Sequence, residues 1–348
     1  MQKLLVVRND KLGDFMLAWP AFAMLKQSNP SLKLTALVPN YTADLARLCP
    51  YLDDVIIDAG KKADKADQLK TLQAIKAVKF DASINFFSDK YNALLVWKAG
   101  IPFRLAPATK LIQFLYNHRV TQRRSKSLKP EFEYNLDLAR AFLQKTHSPI
   151  VEPTPPYLTF EQNAVQHQRE MLSQTLGLAL EKKWIFVHSG SGGSATNLSL
   201  DQYAQLILGL LSQFDCQIVL TAGPNESEKA HELASCVNHN NVVVYDKNAG
   251  LVDFAHSLAC ADLFIAGSTG PLHLSAALNI PTIGFYPSRR SATPLRWQPI
   301  NDPTKHLAFS PQTQDREKQM DLSLIDIDQV LTQAIPFVKT MWKLEQAQ

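Results

Sequence analysis

The sequence predicts an α/β protein built from two doubly wound domains facing one cleft. Short apolar runs alternate with segments of helical spacing along most of the chain, the pattern of βαβ units around a parallel sheet. Four prolines within a few residues (Pro149, Pro153, Pro155 and Pro156) interrupt that pattern near its middle and mark a boundary. A length of 348 residues suits two domains of ordinary size better than one. The expected division is 1–152, 153–325, and a terminal helical region, 326–348, packing back across the first domain.

Residues 4–7 form an apolar run that reads as a buried strand, followed by a loop at 9–14. Phe15, Ala18, Phe22 and Leu25 then recur at helical spacing over 15–26. Pro20 lies inside that segment and predicts a kink or a later helix start. Strands follow at 34–38, 55–57 and 82–87, with helices at 42–48 and 91–98. The region 101–130 is less regular and basic, carrying Arg104, Lys110, His118, Arg119, Arg123, Arg124, Lys126 and Lys129. A helix over 131–144 leads to the proline cluster.

The second half repeats the alternation. Helix 162–176 and strand 184–187 precede a Gly/Ser loop at 188–194. Helix 200–214, strand 217–221, a turn at 222–226 and a helix to 236 come next. Strand 242–245, helix 251–261 and strand 262–266 lead to Gly267-Ser268-Thr269-Gly270-Pro271-Leu272-His273. A strand at 282–286 and a helical region over 326–344, interrupted by Pro336, complete the reading.

Composition bounds the function. Hydrophobic residues at 46% with 20% charged residues describe a globular protein with a sizeable core. A net charge of +4 suits an anionic small molecule or an acidic surface and is too weak to imply nucleic acid. Cys49, Cys216, Cys236 and Cys260 are widely separated and read as reduced thiols, without a disulfide framework or a zinc site. The N-terminal apolar run is too short for a signal peptide, and no stretch approaches the roughly 20 apolar residues of a membrane span. The expectation is a cytoplasmic protein, with peripheral membrane contact open.

Four loops follow strands and would line one face of the two sheets. The turn 267–273 joins a buried strand to a helix, so its N–H groups and the positive end of the helix dipole converge on one point, a seat for phosphate. Ser268 and Thr269 add hydroxyls, and His273 lies one turn inside. The same turn also fits an ordinary α/β connection. Asp14 reads either as a helix N-cap or as a carboxylate able to take a proton from a hydroxyl nucleophile. The loop 188–194 lacks a Walker lysine and a G-x-G-x-x-G pattern, which argues against a P-loop nucleotidase or a dinucleotide oxidoreductase. Its backbone still suits a phosphate, or a plain flexible connection. Glu226 suits ribose hydroxyls, or the first turn of the next helix. Asp326 and Asp328 resemble a D-x-D metal motif but sit where helix-initiating acids are expected.

Arg8-Asn9-Asp10-Lys11-Leu12-Gly13-Asp14, His188-Ser189-Gly190-Ser191-Gly192-Gly193-Ser194-Ala195, Gly223-Pro224-Asn225-Glu226 and Ser268-Thr269-Gly270-Pro271-Leu272-His273 occur in this order across the chain. Together they resemble the ADP-heptose:lipopolysaccharide heptosyltransferase family, glycosyltransferase family 9. The resemblance implies the GT-B fold, with an acceptor-binding first domain and a donor-binding second domain. It also implies inversion at the anomeric carbon without a catalytic metal or cofactor. By this resemblance Asp14 is the general base. Ser189, Gly190, Ser191, Gly192, Glu226, Ser268, Thr269, Gly270 and His273 are donor-binding positions. Lys11, His118, Arg119, Arg123 and Arg124 are candidate acceptor contacts. Two positions depart from the family pattern. No lysine follows the Gly/Ser loop at Thr196-Asn197-Leu198, where Arg289 or Arg290 would have to substitute, and Ser268 stands where many members carry an acid.

The expected activity is heptose transfer from ADP-heptose to the lipopolysaccharide inner core, either lipid A–Kdo or a heptosylated acceptor. The expected place is the cytoplasmic face of the inner membrane, in peripheral contact. Transfer of a different sugar to another surface glycan, or non-catalytic sugar-nucleotide binding, are the alternatives.

Overall fold

A computed structural model describes residues 1–109, 111–193 and 196–344. Lys110, Ser194 and Ala195, singled out above, lie outside the described residues, as do 345–348. Two compact units, Met1–Tyr157 and Leu158–Gln348, divide the chain a few residues beyond the expected boundary.

The first unit contains β1 (Lys3–Val7), β2 (Lys33–Pro39), β3 (Asp54–Asp58), β4 (Ala82–Asn85), β5 (Phe103–Pro107) and β6 (His118–Val120). They form one parallel sheet in the order β3-β2-β1-β4-β5-β6. Leu4, Leu5, Val6 and Val7 are all buried, as an apolar run in a sheet covered on both faces must be. Pro20 does divide the first helical segment. A short helix, Leu12–Met16, ends before a second, Trp19–Ser28, which carries Pro20 in its first turn, where the missing N–H costs no hydrogen bond. The helix Glu131–Lys145 packs against Trp19–Ser28, and Asn135 Nδ2 donates to Leu17 O at 2.9 Å.

Two features of this unit escape the apolar pattern. The strands β5 and β6 lie in the region read as irregular; they are short and interrupted by Arg104 and Arg119. The helix Lys65–Val78 is polar around most of its circumference, burying only Thr71 and Ile75. It is announced instead by a cap, Asp64, which accepts from Asp67 N at 2.8 Å.

The second unit contains β7 (Lys183–His188), β8 (Cys216–Thr221), β9 (Val242–Tyr245), β10 (Leu263–Gly267), β11 (Thr282–Phe285) and β12 (His306–Phe309). Its parallel order, β12-β11-β10-β7-β8-β9, is the same winding as in the first unit. In each sheet the chain starts at the centre, winds outward, then returns to the other side of its first strand. The loops after β1 and β4, and after β7 and β10, therefore part in opposite directions at the carboxyl edge. Such a switch point is where open α/β sheets take ligands.

The helix Ile327–Met341 corrects one expectation. It belongs to the second unit, where Ile327, Val330, Ala334 and Val338 share a core with Leu206, Ile207 and Leu210 of the helix Leu200–Gln213. Periodicity identifies an apolar stripe but not the surface that covers it; here the cover is within its own unit. That burial also carries the helix unbroken through Pro336. Asp326 caps it, accepting from Asp328 N and Gln329 N at 2.9 and 3.3 Å, so the D-x-D pair starts a helix. Ile327→Ala should lower the unfolding free energy of the second unit by about 2–5 kcal/mol in denaturant titrations, and a change near zero would contradict this packing.

Candidate active site

The carboxyl edge of the first sheet is organised by Arg8, the residue after β1. Its side chain is 3% exposed, its Nη2 pairs with Asp14 Oδ1, and its Nε lies 3.0 Å from Asp10 Oδ1. Its Nη1 donates to Phe86 O at 3.1 Å and lies 3.9 Å from Glu131 Oε1. Burial opposes the charge on Arg8, but Asp10, Asp14 and Glu131 more than offset it and hold the guanidinium protonated. Burial is also the main influence on Asp10, whose pKa is pushed up to about 6 despite Arg8, with Asp14 adding to the rise.

Asp14 does not cap its helix. Lys11 occupies the N-cap position, and the Asp14 carboxylate turns back to Arg8. The remaining first-unit candidates scatter. Lys11, Arg119 and Arg123 are exposed. The His118 ring stacks on Phe103 with centroids 3.9 Å apart. Arg124 is engaged structurally: it donates to Glu131 Oε1 at 2.6 Å and Gln122 Oε1 at 2.8 Å, and lies over the Tyr134 ring.

In the second unit, sequence-distant candidates do come together. Glu226, from the loop after β8, inserts its carboxylate into the Gly/Ser loop after β7. Glu226 Oε1 accepts from Ser191 N at 2.7 Å and Gly192 N at 2.6 Å, and Oε2 accepts from Gly223 N at 3.1 Å. A β-carbon at Gly190 would overlap that carboxylate, so a side chain there would displace Glu226 from its N–H partners. Burial disfavours the Glu226 charge, but Gly192 N–H, His188, Ser191 N–H and Gly223 N–H together hold its pKa below the ordinary range. His188 Nε2 lies 3.5 Å from Glu226 Oε2, and its Nδ1 meets Thr221 Oγ1 at 3.0 Å. Burial lowers the His188 pKa and favours the neutral ring.

Beside this loop, β10 ends at Gly267 and the helix Gly270–Ala277 begins, with Thr269 as N-cap and Pro271 in its first turn. Thr269 is 4% exposed, yet its hydroxyl caps nothing and its Oγ1 has no hydrogen-bond partner. A buried hydroxyl left open at a helix N-terminus fits an anion or sugar hydroxyl. Ser268 N is committed to Phe285 O at 3.1 Å. His273 is buried inside the helix and neighbours His306, whose pKa falls to about 3, mainly through burial and further through His273.

Asn197 is the residue that sequence reading missed. Its Nδ2 donates to Ser189 O at 2.8 Å and Gly190 O at 3.0 Å, while its Oδ1 accepts from Tyr203 OH at 2.6 Å. A β-carbon at Gly267 would come within 2.7 Å of that Oδ1, so Asn197 fastens the Gly/Ser loop against the end of β10. The only sequence signal is an amide shortly before the capping box of Ser199 and Gln202. Arg289 and Arg290 follow β11 and are exposed. Among the described residues, no group of three or more His, Cys, Asp or Glu side chains forms a metal-ligand set.

Likeness to known proteins gives the family and the fold. The family model described as glycosyltransferase family 9 (heptosyltransferase) matches residues 68–325. A Haemophilus influenzae protein, named only provisionally as a glycosyltransferase, is 66% identical over 99% of both chains. Lipopolysaccharide heptosyltransferase 3 of Escherichia coli is 22% identical over 79% of each. The solved structure of E. coli ADP-heptose lps heptosyltransferase II covers 98% of this chain and 99% of its own, with a TM-score of 0.77 at 18% identity, a likeness of fold. The chain belongs to glycosyltransferase family 9 and is a glycosyltransferase of the GT-B fold class, two Rossmann-like α/β units in one polypeptide.

Proposed function

We propose that this enzyme moves a heptose from ADP-heptose to the lipopolysaccharide inner core, with inversion at the anomeric carbon. The observation that carries the reading is the β7/β10 switch point, where the open Thr269 hydroxyl and a helix N-terminus stand beside a loop fastened by Glu226 and Asn197. The sugar and acceptor class are those for which two relatives are named, lipopolysaccharide heptosyltransferase 3 and an ADP-heptose enzyme.

In this reading the second unit holds the donor diphosphate over Thr269, Gly270 and the described part of the Gly/Ser loop. The helix dipole and N–H groups stabilise the diphosphate as it departs, the charge-balancing role that a metal plays in other transferases. Asp14 takes the proton from an acceptor hydroxyl of a lipid-linked core oligosaccharide. The acceptor oxygen attacks the anomeric carbon opposite the leaving diphosphate, so one displacement inverts the configuration. Arg8 aims the Asp14 carboxylate, and its further acidic partners hold the guanidinium in place after Asp14 takes up the proton.

Ser268 supports a second reading, transfer of a different sugar, because a hydroxyl and a carboxylate select different hydroxyl patterns. Calorimetry with ADP-heptose, UDP-sugars and GDP-sugars separates the two. Heptose transfer requires preference for the ADP donor, and equal or tighter binding of another nucleotide sugar would favour the alternative.

Asp14→Asn should lower kcat by about 10²–10⁴-fold with donor affinity and thermal midpoint nearly unchanged. Near-normal transfer by the folded variant would remove Asp14 as the base. Asp10 gives a pH signature with a definite sign. The native state holds its proton up to about pH 6, whereas the unfolded chain releases it near 4, so its contribution to stability falls as pH rises through that window. The stability of the parent relative to Asp10→Asn should therefore drop by about 1–3 kcal/mol between pH 4.5 and 7.5, which covers most of that window. A difference independent of pH would place the raised pKa elsewhere.

A further inference from the structure

The stretch 90–130 contains nine lysines and arginines and no aspartate or glutamate. Because the whole chain carries only +4, everything outside this stretch is net acidic. The stretch comprises the helix Lys90–Lys98, β5, β6 and the turns between them, that is, the outer edge of the first unit's sheet.

This basic edge also displays apolar side chains. The 3₁₀ turn Leu111–Leu115 buries Leu115 and packs Ile112 into the core with Leu94 and Tyr91 of the helix Lys90–Lys98. Its other side points outward: Leu111 is 94% exposed and Phe114 is 70% exposed. Leu128, further along the stretch, is 71% exposed. Arg119, Arg123 and Lys126 are exposed and make no ion pair among the described residues. Both the 111–115 turn and the loop after β6 leave the carboxyl ends of their strands. That is the edge of the sheet on which Asp14 lies.

We propose that this edge docks on an anionic lipid bilayer, with Leu111 and Phe114 entering between headgroups and Arg119, Arg123 and Lys126 meeting lipid phosphates. Apolar side chains standing among unpaired cations match a surface that is anionic outside and hydrocarbon within. A polyanion such as nucleic acid would use the cations and leave Leu111 and Phe114 exposed. No described helix is long and apolar enough to cross a membrane, so the contact lies on the surface. The choice of a bilayer rests on the lipid-linked acceptor reading, and the docking would bring Asp14 to the side from which such an acceptor arrives.

Vesicle sedimentation tests it without turnover. The full chain should bind phosphatidylethanolamine/phosphatidylglycerol vesicles, bind phosphatidylcholine vesicles far more weakly, and lose binding as salt rises. Leu111→Ser with Phe114→Ser should weaken partitioning about tenfold or more, and Arg119→Gln with Arg123→Gln should abolish the preference for phosphatidylglycerol. Because these side chains are exposed, all variants should keep the parent's thermal midpoint. Phe114→Trp adds a gain of signal, a blue shift of tryptophan emission on phosphatidylglycerol vesicles relative to the parent. Vesicle binding unaffected by either pair, absence of the blue shift, or competition by an oligonucleotide that ignores Leu111 and Phe114 would overturn the docking surface. Failed vesicle binding with intact heptose transfer to a detergent-solubilised acceptor removes the docking and leaves the activity. Intact binding without transfer does the reverse.

Discussion

One constraint underlies both halves of this molecule: in each parallel sheet the chain reverses its winding beside its first strand. Between β1 and β4, and between β7 and β10, successive crossovers leave toward opposite sides. Such a point brings strand-end loops and helix N-termini together at the carboxyl edge of the sheet. The Arg8–Asp14 loop, the Gly/Ser loop and the Thr269 turn all emerge there. Glu226 reaches in from the neighbouring strand end.

The two switch points are furnished for opposite charges. In the first unit a buried cation, Arg8, gathers Asp10, Asp14 and Glu131, so one carboxylate is held in place and another is driven toward its neutral form. A half-buried carboxylate, Glu226, instead gathers N–H groups in the second unit and keeps its charge. The first arrangement suits a group that accepts a proton; the second fixes the shape of the Gly/Ser loop, and the open anion seat beside it is the Thr269 turn. Both bury charge only with partners, as the cost of desolvation requires.

Much of the fold was legible because buried parallel strands read as apolar runs. The cores of β1, β2, β7, β8 and β10 stand out in that way, and the helix Gln162–Leu176 has the expected bounds. The strands β5, β6 and β12 were not legible, since they are only three to five residues long and carry polar interruptions. The helix Lys65–Val78 has too little apolar stripe to show a period. At the sites, the motif loops were visible but their partners were not. Glu131, a third acidic partner of Arg8, lies far along the chain, and Asn197 packs against a glycine at the end of another strand. Such contacts depend on strand order, which local pattern does not encode.

The account rests most heavily on the second unit's switch point as the donor site. The most direct measurement is a crystal structure of the full chain with ADP. The account predicts the diphosphate against the Thr269 hydroxyl and the first N–H groups of the helix Gly270–Ala277, with the nucleoside on the Glu226 side. Diphosphate density at any other place in either unit, with Thr269 Oγ1 still without a partner, would contradict it.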